Sequence, residues 1–260
     1  MVNILLTGCL GRLGIEISEY INELDNYKII AGLDIKENYL KNQPYKIYNC
    51  VEDVIEDNVI CDVVIDFSNT SALKSTLNYC LQTVTPLVLG TTDISEKDKE
   101  ILVQASKKIP IFWSVNMSIG INLLTHLCNK LINSANDICE IDIIEHHHNA
   151  KVDAPSGTAS LIANLIKSKS DSLYNSQKIV SNNSFNLNEP RGKNEIRVHS
   201  IRAGNITGQH DVIFNIGDEV LTLSHTSFSK KIFAKGAVNA VDFILKQKPG
   251  LYGLNEINIK

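Results

Sequence analysis

The first 34 residues constrain the fold more than any other part of the sequence. Val2 to Thr7 is a short apolar run, typical of a buried parallel strand, and Gly8-Cys-Leu-Gly-Arg-Leu-Gly14 follows it directly. Apolar residues then recur at helical spacing. A second apolar run, Lys28 to Leu33, ends in Asp34, which is about 20 residues past the last glycine. This order predicts a dinucleotide-binding βαβ unit with a pyrophosphate at the helix N-terminus.

Two features of this unit leave alternatives open. The glycines are spaced Gly-x-x-Gly-x-x-Gly rather than the commoner Gly-x-Gly-x-x-Gly, so a glycine turn without a ligand remains an alternative. Arg12 either lies near the phosphates of the dinucleotide or is a solvated charge on the first helical turn. Asp34 stands where a carboxylate accepts hydrogen bonds from the hydroxyls of the adenosine ribose.

Strands and helices alternate as far as residue 118. Further strands are predicted at Val63–Phe67, Thr85–Leu89 and Ile109–Val115, and helices at Asn49–Asn58 and from Ser95. The pattern predicts an α/β fold with a Rossmann-type, doubly wound parallel sheet. Ligands bind such sheets at the carboxyl ends of the strands. The residues expected there are Gly8 to Gly14, Asp34, Phe67, Ser68, Gly90 to Thr92 and Ser114 to Asn116.

The pattern changes after Ser118 and predicts a second domain of the α+β class. Its strands alternate apolar with polar residues, which is typical of a sheet whose two faces differ. The predicted elements are a helix at 119–132, a strand at 138–144, a helix at 159–169, a loop at 170–194, and antiparallel strands at 195–202, 208–216 and 219–225. We therefore expect a dinucleotide-binding domain at 1–118, completed by the C-terminal helical segment 228–260. A substrate-binding and oligomerisation domain at 119–227, with a mostly antiparallel or mixed sheet, is expected beside it.

The stretch between the predicted strand and helix of the second domain, Glu145 to Ala159, carries the densest group of polar side chains. Pro155 suits the first turn of a helix, and Asp153 or Ser156 could cap that helix. The backbone N–H groups from Ser156 onward would then point outward and bind an anion. Proton donors from a histidine run and Lys151 would lie within reach of a carboxylate bound there.

This stretch resembles the signature of the 4-hydroxy-tetrahydrodipicolinate reductase family, also called dihydrodipicolinate reductases. The family pattern reads roughly Glu-x-His-His-x-x-Lys-x-Asp-Ala-Pro-Ser-Gly-Thr-Ala, and the chain matches it from Glu145 to Ala159. The resemblance extends to the Gly8–Gly14 loop, to Asp66-Phe67, to Gly90-Thr91-Thr92 and to Asn116-Met-Ser118. One departure is Lys230, which stands where the family usually has arginine.

The resemblance implies a nicotinamide-dependent reduction of a small cyclic imine that carries two carboxylates, in the pathway to diaminopimelate and lysine. It implies that His147 donates the proton, with Lys151 as a possible alternative donor. His148 would bind the substrate, and Gly157 and Thr158 would hold one carboxylate. The implied cofactor-binding residues are Gly8, Gly11, Arg12, Leu13, Asp34, Phe67, Gly90, Thr92, Ser114 and Asn116.

The residues near the expected ribose site predict that both nicotinamide cofactors are used. Asp34 favours NADH, because its charge repels the 2′-phosphate of NADPH. Lys36 and Arg12 oppose this preference, because either cation could pair with that phosphate. We therefore expect NADH to be preferred modestly, by roughly tenfold or less.

The run His146-His-His148 raises the alternative of a zinc site. Successive residues of a strand point to opposite faces, so only His146 and His148 would converge. No cysteine or carboxylate completes the set at a familiar zinc spacing. We therefore expect no metal, and we expect His146 to be structural or exposed to solvent. The remaining histidines are expected to be core or interface groups; they are His126, His199, His210 and His225.

Composition limits the possible partners and location of the protein. A formal charge of −4 offers no basic excess for nucleic-acid phosphates. No apolar run approaches membrane-spanning length, and the N-terminus lacks the pattern of a signal peptide. The six cysteines show no Cys-x-x-Cys spacing, which favours reduced thiols in the cytoplasm. A homotetramer built through the second domain is implied by the resemblance.

Two other functions remain open from the sequence. One is another two-domain NAD(P) dehydrogenase, for example one that acts on aspartate. It would share the nucleotide-binding half but would not need the histidine pair, Lys151 and the Ser-Gly-Thr turn. The other is a regulator that binds the nucleotide without turnover, and a test for consumption of reduced nicotinamide separates it from an enzyme.

Overall fold

The computed structural model describes residues 1–35, 44–92, 94–134, 139–170, 178–181, 190–192 and 195–257. The chain forms two compact units. The first unit joins Met1–Ile119 to Lys230–Lys260, and the second comprises Gly120–Ser229. Among the described helices, none combines the length and the apolar character needed to cross a membrane.

Strands and helices alternate along the first half of the chain, and strands predominate in the second half. In chain order the strands are β1 (Val2–Thr7), β2 (Tyr27–Leu33), β3 (Lys46–Tyr48), β4 (Val63–Asp66), β5 (Leu87–Leu89), β6 (Pro110–Trp113), β7 (Cys139–His147), β8 (Lys178–Ser181), β9 (Glu195–Arg202), β10 (Gly208–Ile216), β11 (Glu219–Ser227) and β12 (Gly250–Tyr252). The α-helices are α1 (Arg12–Asn22), α2 (Val51–Glu56), α3 (Leu73–Thr83), α4 (Glu96–Ser106), α5 (Ile119–Ser134), α6 (Gly157–Ser170) and α7 (Lys231–Ile244). A 3₁₀ turn spans Leu254–Glu256.

The first unit contains a seven-stranded sheet in the order β12-β6-β5-β4-β1-β2-β3. Every pairing in it is parallel, which confirms the predicted Rossmann-type sheet. The order reverses at β1, which lies between β4 and β2. Ligands bind doubly wound sheets at such a reversal, outside the carboxyl ends of the strands. The short strands β3 and β12 were not predicted.

Two apolar layers enclose this sheet because neighbouring strand residues point to opposite faces. On β1, Leu5 packs into one layer, whereas Ile4 and Leu6 pack into the other. Helix α7 supplies small residues to the second layer, and they allow close packing. At Gly236 a Cβ atom would lie 1.7 Å from the carbonyl oxygen of Met117.

The second unit contains a five-stranded mixed sheet in the order β11-β10-β7-β9-β8. β10 is antiparallel to β7 and β11, whereas β9 is parallel to β7 and β8. The prediction that residues 195–202 form an antiparallel strand was therefore wrong for this pairing. The predicted loop at 170–194 contains β8, and residues 171–177, 182–189 and 193–194 of it lie outside the described part.

Helices α5 and α6 cover one face of the second sheet with aliphatic side chains. β7 turns alternate residues, including Ile141 and Ile143, toward these helices, and both are buried. The same alternation continues past the predicted end of the strand at Ile144. This extension determines the environment of the histidine run.

Candidate active site

The carboxyl ends of the parallel strands enclose a cavity of about 400 Å³. Four of the predicted cofactor-binding residues line it, namely Gly8, Gly11, Asp34 and Phe67. The others lie at neighbouring strand ends or on the first helix, outside the described lining of this cavity. They are Arg12 and Leu13, which begin α1, Gly90 and Thr92 after β5, and Ser114 and Asn116 after β6.

The glycine loop between β1 and α1 is shaped by close backbone contacts. Gly8 has φ +78°, a conformation that favours glycine, and a Cβ atom there would lie 2.8 Å from the carbonyl oxygen of Phe67. At Gly14 a Cβ atom would lie 2.1 Å from the carbonyl oxygen of Gly8. The side chain of Asp34 fixes the loop from the next strand, because its Oδ2 accepts a 2.9 Å hydrogen bond from the backbone N–H of Leu10.

The loops after β4, β5 and β6 are also held by internal contacts. Asp66 is buried and accepts hydrogen bonds from the backbone N–H and hydroxyl of Ser68, while burial raises the pKa of its carboxyl. The ring of Phe67 lies over Gly90, where a Cβ atom would be 2.2 Å from the ring. The hydroxyl of Ser114 donates to the carbonyl oxygen of Asn116 over 2.7 Å.

Part of the cavity lining was missed by the sequence analysis. It comes from the start of α2 and from the segment before and within α3, and comprises Asn49, Cys50, Val51, Glu52, Ser71, Ala72 and Ser75. No local motif marks these residues. β3 pairs with β2, and knowledge of that sheet order would have been needed to place the start of α2 beside Asp34.

In the second unit, β7 extends to His147, so the histidine run starts within the strand rather than after it. Glu145 and His147 therefore share the buried face that Ile141 and Ile143 occupy earlier in the strand. Across the sheet, Glu145 lies opposite Ser200 on β9 and His210 on β10. Ser200, Glu145 and His210 thus form a polar row across three strands, next to the apolar residues of the same face.

Glu145 is fully buried and is held by several polar contacts. Its Oε1 accepts hydrogen bonds from Arg202 Nη2 at 2.7 Å and from the backbone N–H of Ser156 at 3.1 Å. Its Oε2 lies 3.1 Å from His147 Nε2. Burial by itself raises the pKa of Glu145, but the hydrogen bonds from His147, Arg202, Ser200 and Ser156 outweigh burial and hold it well below its usual range. Glu145 is therefore a buried carboxylate anion.

His147 is only 8% exposed and has an acceptor at each ring nitrogen. Its Nδ1 lies 3.0 Å from the carbonyl oxygen of Thr207, which can only accept, so Nδ1 carries a hydrogen. Nε2 faces Glu145. The ring of His210 packs edge-on, with a centroid distance of 5.2 Å. Burial, together with the charge of His147, lowers the pKa of His210 to about 3, so His210 is neutral at pH 7.

Ser156 caps helix α6. Its Oγ accepts a 3.2 Å hydrogen bond from the backbone N–H of Ala159, and also lies 3.3 Å from His210 Nε2. Pro155 precedes the cap and does not enter the first turn. The Ser156 N–H was expected to point outward, but it donates to Glu145. The anion site expected at this helix end is therefore reduced to Gly157 and Thr158, and the space beside Gly157 is open.

The turn after β7 carries two further residues of the predicted site, His148 and Lys151. The N–H of Lys151 donates to the carbonyl oxygen of His148 over 3.2 Å. Lys151 Nζ lies 2.8 Å from both carboxylate oxygens of Asp153, and this ion pair lowers the pKa of Asp153. Arg202 donates to the carbonyl oxygen of Asp153, so the guanidinium that holds Glu145 also holds this turn.

Glu145, His147 and His210 each offer a potential metal ligand, and these atoms lie within 4.8 Å of one another. The set has the donor types of a zinc site, although the residues differ from the His146 and His148 considered from the sequence. Two contacts disfavour a cation there. Arg202 already offsets the charge of Glu145, and Glu145 faces His147 directly at ion-pair distance.

Comparisons with known proteins identify the family. The model described as "Dihydrodipicolinate reductase, N-terminus" matches residues 2–117, and "Dihydrodipicolinate reductase, C-terminus" matches residues 120–257. The chain belongs to the dihydrodipicolinate reductase family. Members of this family are oxidoreductases that use a nicotinamide cofactor, and the parallel sheet is of the Rossmann type found in proteins that bind such cofactors.

Individual relatives of this reductase family match along nearly the whole chain. The 4-hydroxy-tetrahydrodipicolinate reductase of Clostridium novyi is 39% identical over 260 residues, covering 99% of this chain and 98% of the relative. That of Clostridium botulinum is 40% identical over 258 residues, with the same coverage. The fold is similar to that of a dipicolinate-bound dihydrodipicolinate reductase from Paenisporosarcina, with a TM-score of 0.82 at 22% identity, covering 99% of this chain and all of that one.

Proposed function

We propose that this reductase uses NADH or NADPH to convert 4-hydroxy-tetrahydrodipicolinate to tetrahydrodipicolinate, in the synthesis of diaminopimelate and lysine. One observation supports this substrate above all. The buried Glu145–His147 pair stands beside the open N-terminus of α6, so a proton donor and an anion site occur together. A cyclic imine with two carboxylates requires both.

The first unit would bind the cofactor through the ends of its strands. The dinucleotide phosphates would contact the loop from Gly8 to Leu13, at the N-terminus of α1, with Arg12 exposed beside them. Asp34 would accept hydrogen bonds from the adenosine ribose. The loops after β4, β5 and β6 would contact the nicotinamide half through Phe67, Gly90, Thr92, Ser114 and Asn116. When bound, the reduced nicotinamide supplies the hydride.

The second unit would hold the substrate by its carboxylates. Gly157 and Thr158 open helix α6, where backbone N–H groups and the helix dipole favour an anion. The open space beside Gly157 admits a carboxylate to the backbone. Lys151 and His148, on the turn that follows β7, would bind or polarise the rest of the ring. Lys151 is held toward this turn by Asp153.

His147 would give a proton to the ring carbon next to the one that accepts the hydride. The substrate first loses its 4-hydroxyl, together with a hydrogen of the neighbouring ring carbon, as water, which leaves a C=C bond. That bond is then consumed, one of its carbons gaining the hydride and the other the proton. Glu145 Oε2 faces His147 Nε2 over 3.1 Å, and the Thr207 carbonyl fixes the ring orientation. Lys151 is the alternative donor, because its ammonium group lies on the same turn.

The charges that line the cavity beside Asp34 support a modest preference for NADH. Two acidic side chains, Asp34 and Glu52, belong to its lining. The cation Lys36, expected to offset them, lies outside the described residues, and Arg12 is exposed on α1. We therefore propose that both cofactors are used, with NADH preferred by about tenfold or less.

We also propose a homotetramer in the cytoplasm. Helices α5 and α6 cover one face of the second sheet, and the opposite face carries several partly exposed aliphatic side chains; these are Ile144, Ile201, Ile213 and Val220. Such a face suits a second copy of the chain. Among the side chains that the structure describes, five cysteines are free thiols, as expected in a reducing compartment.

Dipicolinate, the planar dicarboxylate named in the Paenisporosarcina structure, provides a direct test of the proposed substrate site. Protein saturated with NADH should bind dipicolinate in a calorimetric titration. Thr158→Val, which removes a hydroxyl from the first turn of α6, should weaken that binding by about tenfold, a change of about 1.4 kcal/mol. Ser168→Ala, at the exposed end of the same helix, is the control and should bind normally. An absence of dipicolinate binding by folded wild-type protein would argue against this substrate class.

A further inference from the structure

We propose that Glu145 is a positioning residue that aligns the proton donor His147 with the carboxylate-binding end of helix α6. This inference rests on the proposed function. Glu145 does this through its two carboxylate oxygens, one facing His147 and the other accepting from the backbone of Ser156. A single buried side chain thereby fixes the distance between the two parts of the site that must contact one substrate.

The sheet supplies the first reason for this role. Three strands contribute to one polar row, because Ser200, Glu145 and His210 are register partners on β9, β7 and β10. The rows before it on the same face are apolar, for example Ile143 between Val198 and Val212. A carboxylate placed in such a row costs free energy unless it is paired and hydrogen-bonded. Glu145 meets this condition through Arg202, Ser156 and His147.

Arg202 supplies the second reason. Its guanidinium donates to Glu145 Oε1 and to the carbonyl oxygen of Asp153, which belongs to the turn that carries Lys151. Glu145 is thus kept ionised from one side while it faces His147 on the other. Removing its charge would leave Arg202 with an unpaired, largely buried cation and would leave Nε2 of His147 without an anionic partner.

The space around His147 supplies the third reason. A Cβ atom at Gly208 would lie 2.9 Å from Cε1 of the His147 ring, so the lack of a side chain at Gly208 makes room for the imidazole on the neighbouring strand. Thr207 fixes Nδ1. With the ring held in this way, Nε2 is directed at Oε2 of Glu145 over 3.1 Å. The titratable or charged groups around the ring are Glu145 on β7, Arg202 on β9, His210 on β10, His225 on β11 beyond His210, and Lys151 with Asp153 on the turn.

The decisive experiment compares the pH profiles of kcat for wild type, Glu145→Gln and Glu145→Asp. Glutamine keeps the shape of the side chain and loses its charge, whereas aspartate keeps the charge and loses one methylene group. We expect Glu145→Gln to lower kcat by about 10-fold to 10²-fold. It should also move the basic limb of its profile to lower pH by about one unit, because the proton on His147 loses its anionic partner. Glu145→Asp should return the limb toward its wild-type position.

A role in packing alone predicts the reverse order, with the isosteric glutamine nearer to wild type than aspartate. A basic limb unchanged in Glu145→Gln would overturn the proposal. Glu140→Gln is the matched control, because it removes an exposed carboxylate from the same strand and should leave kcat and its pH profile unchanged. The affinity for NADH should be the same in all four proteins.

Nitrogen-15 NMR of histidine provides a second readout, with the His147 signals assigned by their loss in His147→Gln. We expect the Nε2 signal of His147 to change in Glu145→Gln and to stay as in wild type in Glu140→Gln. An Nε2 signal that is the same in Glu145→Gln as in wild type would overturn the proposal. If wild-type protein fails to reduce the imine, the proposed function fails, yet this spectrum still tests the Glu145–His147 pair. Stoichiometric zinc in protein purified without chelator, lost in Glu145→Gln, would also overturn it and assign the cluster to a metal.

Discussion

At the scale of single residues, the proposed chemistry depends most on His147. Replacing it by glutamine keeps a hydrogen-bonding side chain but removes the transferable proton. We expect His147→Gln to lower kcat by about 10²-fold or more, the usual size of a general-acid contribution. The affinity for NADH, measured by fluorescence titration, should not change.

The neighbouring His146 provides the control for this substitution. It lies on the opposite face of the same strand, so His146→Gln should keep kcat within a factor of about three. A His147→Gln variant with nearly normal kcat would contradict the assignment and would make Lys151 the leading proton donor.

His210 should make the stability of the protein depend on pH. Its pKa is about 3 in the folded protein, against an ordinary value of 6.5 in the unfolded chain. Between these values the unfolded chain binds the extra proton, so the free energy of unfolding falls as the pH falls from about 6.5 toward 3. One group contributes up to about 1.4 kcal/mol per pH unit.

Urea denaturation between pH 7 and pH 5 measures this contribution. His210→Gln should flatten the pH dependence, whereas His126→Gln, at an exposed position of α5, should leave the slope as in wild type. Equal slopes in wild type and His210→Gln would show that His210 does not remain neutral on folding.

The partners of the histidines show what the sequence could predict at this scale. His147, Lys151, Gly157 and Thr158 were named from one continuous motif. Residues two positions apart on a strand point to the same face, so the sequence could also have shown that Glu145 and His147 share a face. The strand, however, was predicted to end at Ile144. Arg202 and His210 were not recognised as partners, because they reach Glu145 only through pairing with strands far away in the chain.

At the scale of secondary-structure elements, the start of α6 connects the fold to the proposed site. Ser156 caps the helix and also contacts His210 and Glu145. Ser156→Ala keeps the backbone bond to Glu145 but removes the cap. We expect it to cost about 1 kcal/mol of stability, which corresponds to about 2–4 °C in Tm.

Thermal unfolding of Ser156→Ala beside Ser168→Ala tests this cap. The second substitution lies at an exposed position of the same helix and should leave Tm within about 1 °C, since surface changes of this kind have small effects. Equal Tm values for the two variants would mean that the hydroxyl of Ser156 does not hold the helix end.

The end of β2 should govern the choice between the two cofactors. Asp34→Ala removes the carboxylate that disfavours a 2′-phosphate, so we expect kcat/KM to fall for NADH and to stay level or rise for NADPH. Asp34 also accepts from Leu10, so part of the loss for NADH would reflect a looser glycine loop. Glu52→Gln, at the start of α2, tests the second carboxylate of the cavity.

The expected result is a wild-type preference for NADH of about tenfold or less that is reversed in Asp34→Ala. A strong wild-type preference for NADPH, unaffected by Asp34→Ala, would mean that the ribose lies elsewhere.

Strands with an apolar run were easier to predict from the sequence than strands without one. In the first unit β1, β2, β4, β5 and β6 follow from their apolar runs, because each is largely buried. β3, β8 and β12 are three or four residues long and carry no detectable period. Their positions depend on pairing with a neighbouring strand, and the parallel pairing of β9 with β7 is likewise a property of the whole sheet.

At the scale of the whole molecule, the chain forms two units, and only the first is interrupted in sequence. The first unit takes α7 and β12 from the C-terminus, and the second unit is inserted between its two segments. The family match across residues 2–117 and 120–257 covers both units. The proposed cofactor residues belong to the first unit and the proposed substrate residues to the second, so a change in one unit should leave binding by the other intact.

The proposed homotetramer belongs to the same scale. Light scattering on the eluting peak of a size-exclusion column should give about four times the mass of the 28.8 kDa chain. Ile201→Asp, on the open face of the second sheet, should shift the protein to smaller species, because it places a charge among aliphatic side chains. A monomeric wild-type protein that is fully active would contradict the proposed assembly.

The most direct test of the central claim is turnover by the purified wild-type protein with freshly generated cyclic imine. The absorbance of NADH is followed with protein alone, with imine alone and with both together. The account predicts consumption of NADH only when protein and imine are both present, and inhibition of that consumption by dipicolinate. A folded protein that binds NADH but leaves its absorbance unchanged in the presence of imine would contradict the account and would favour a nucleotide-sensing regulator.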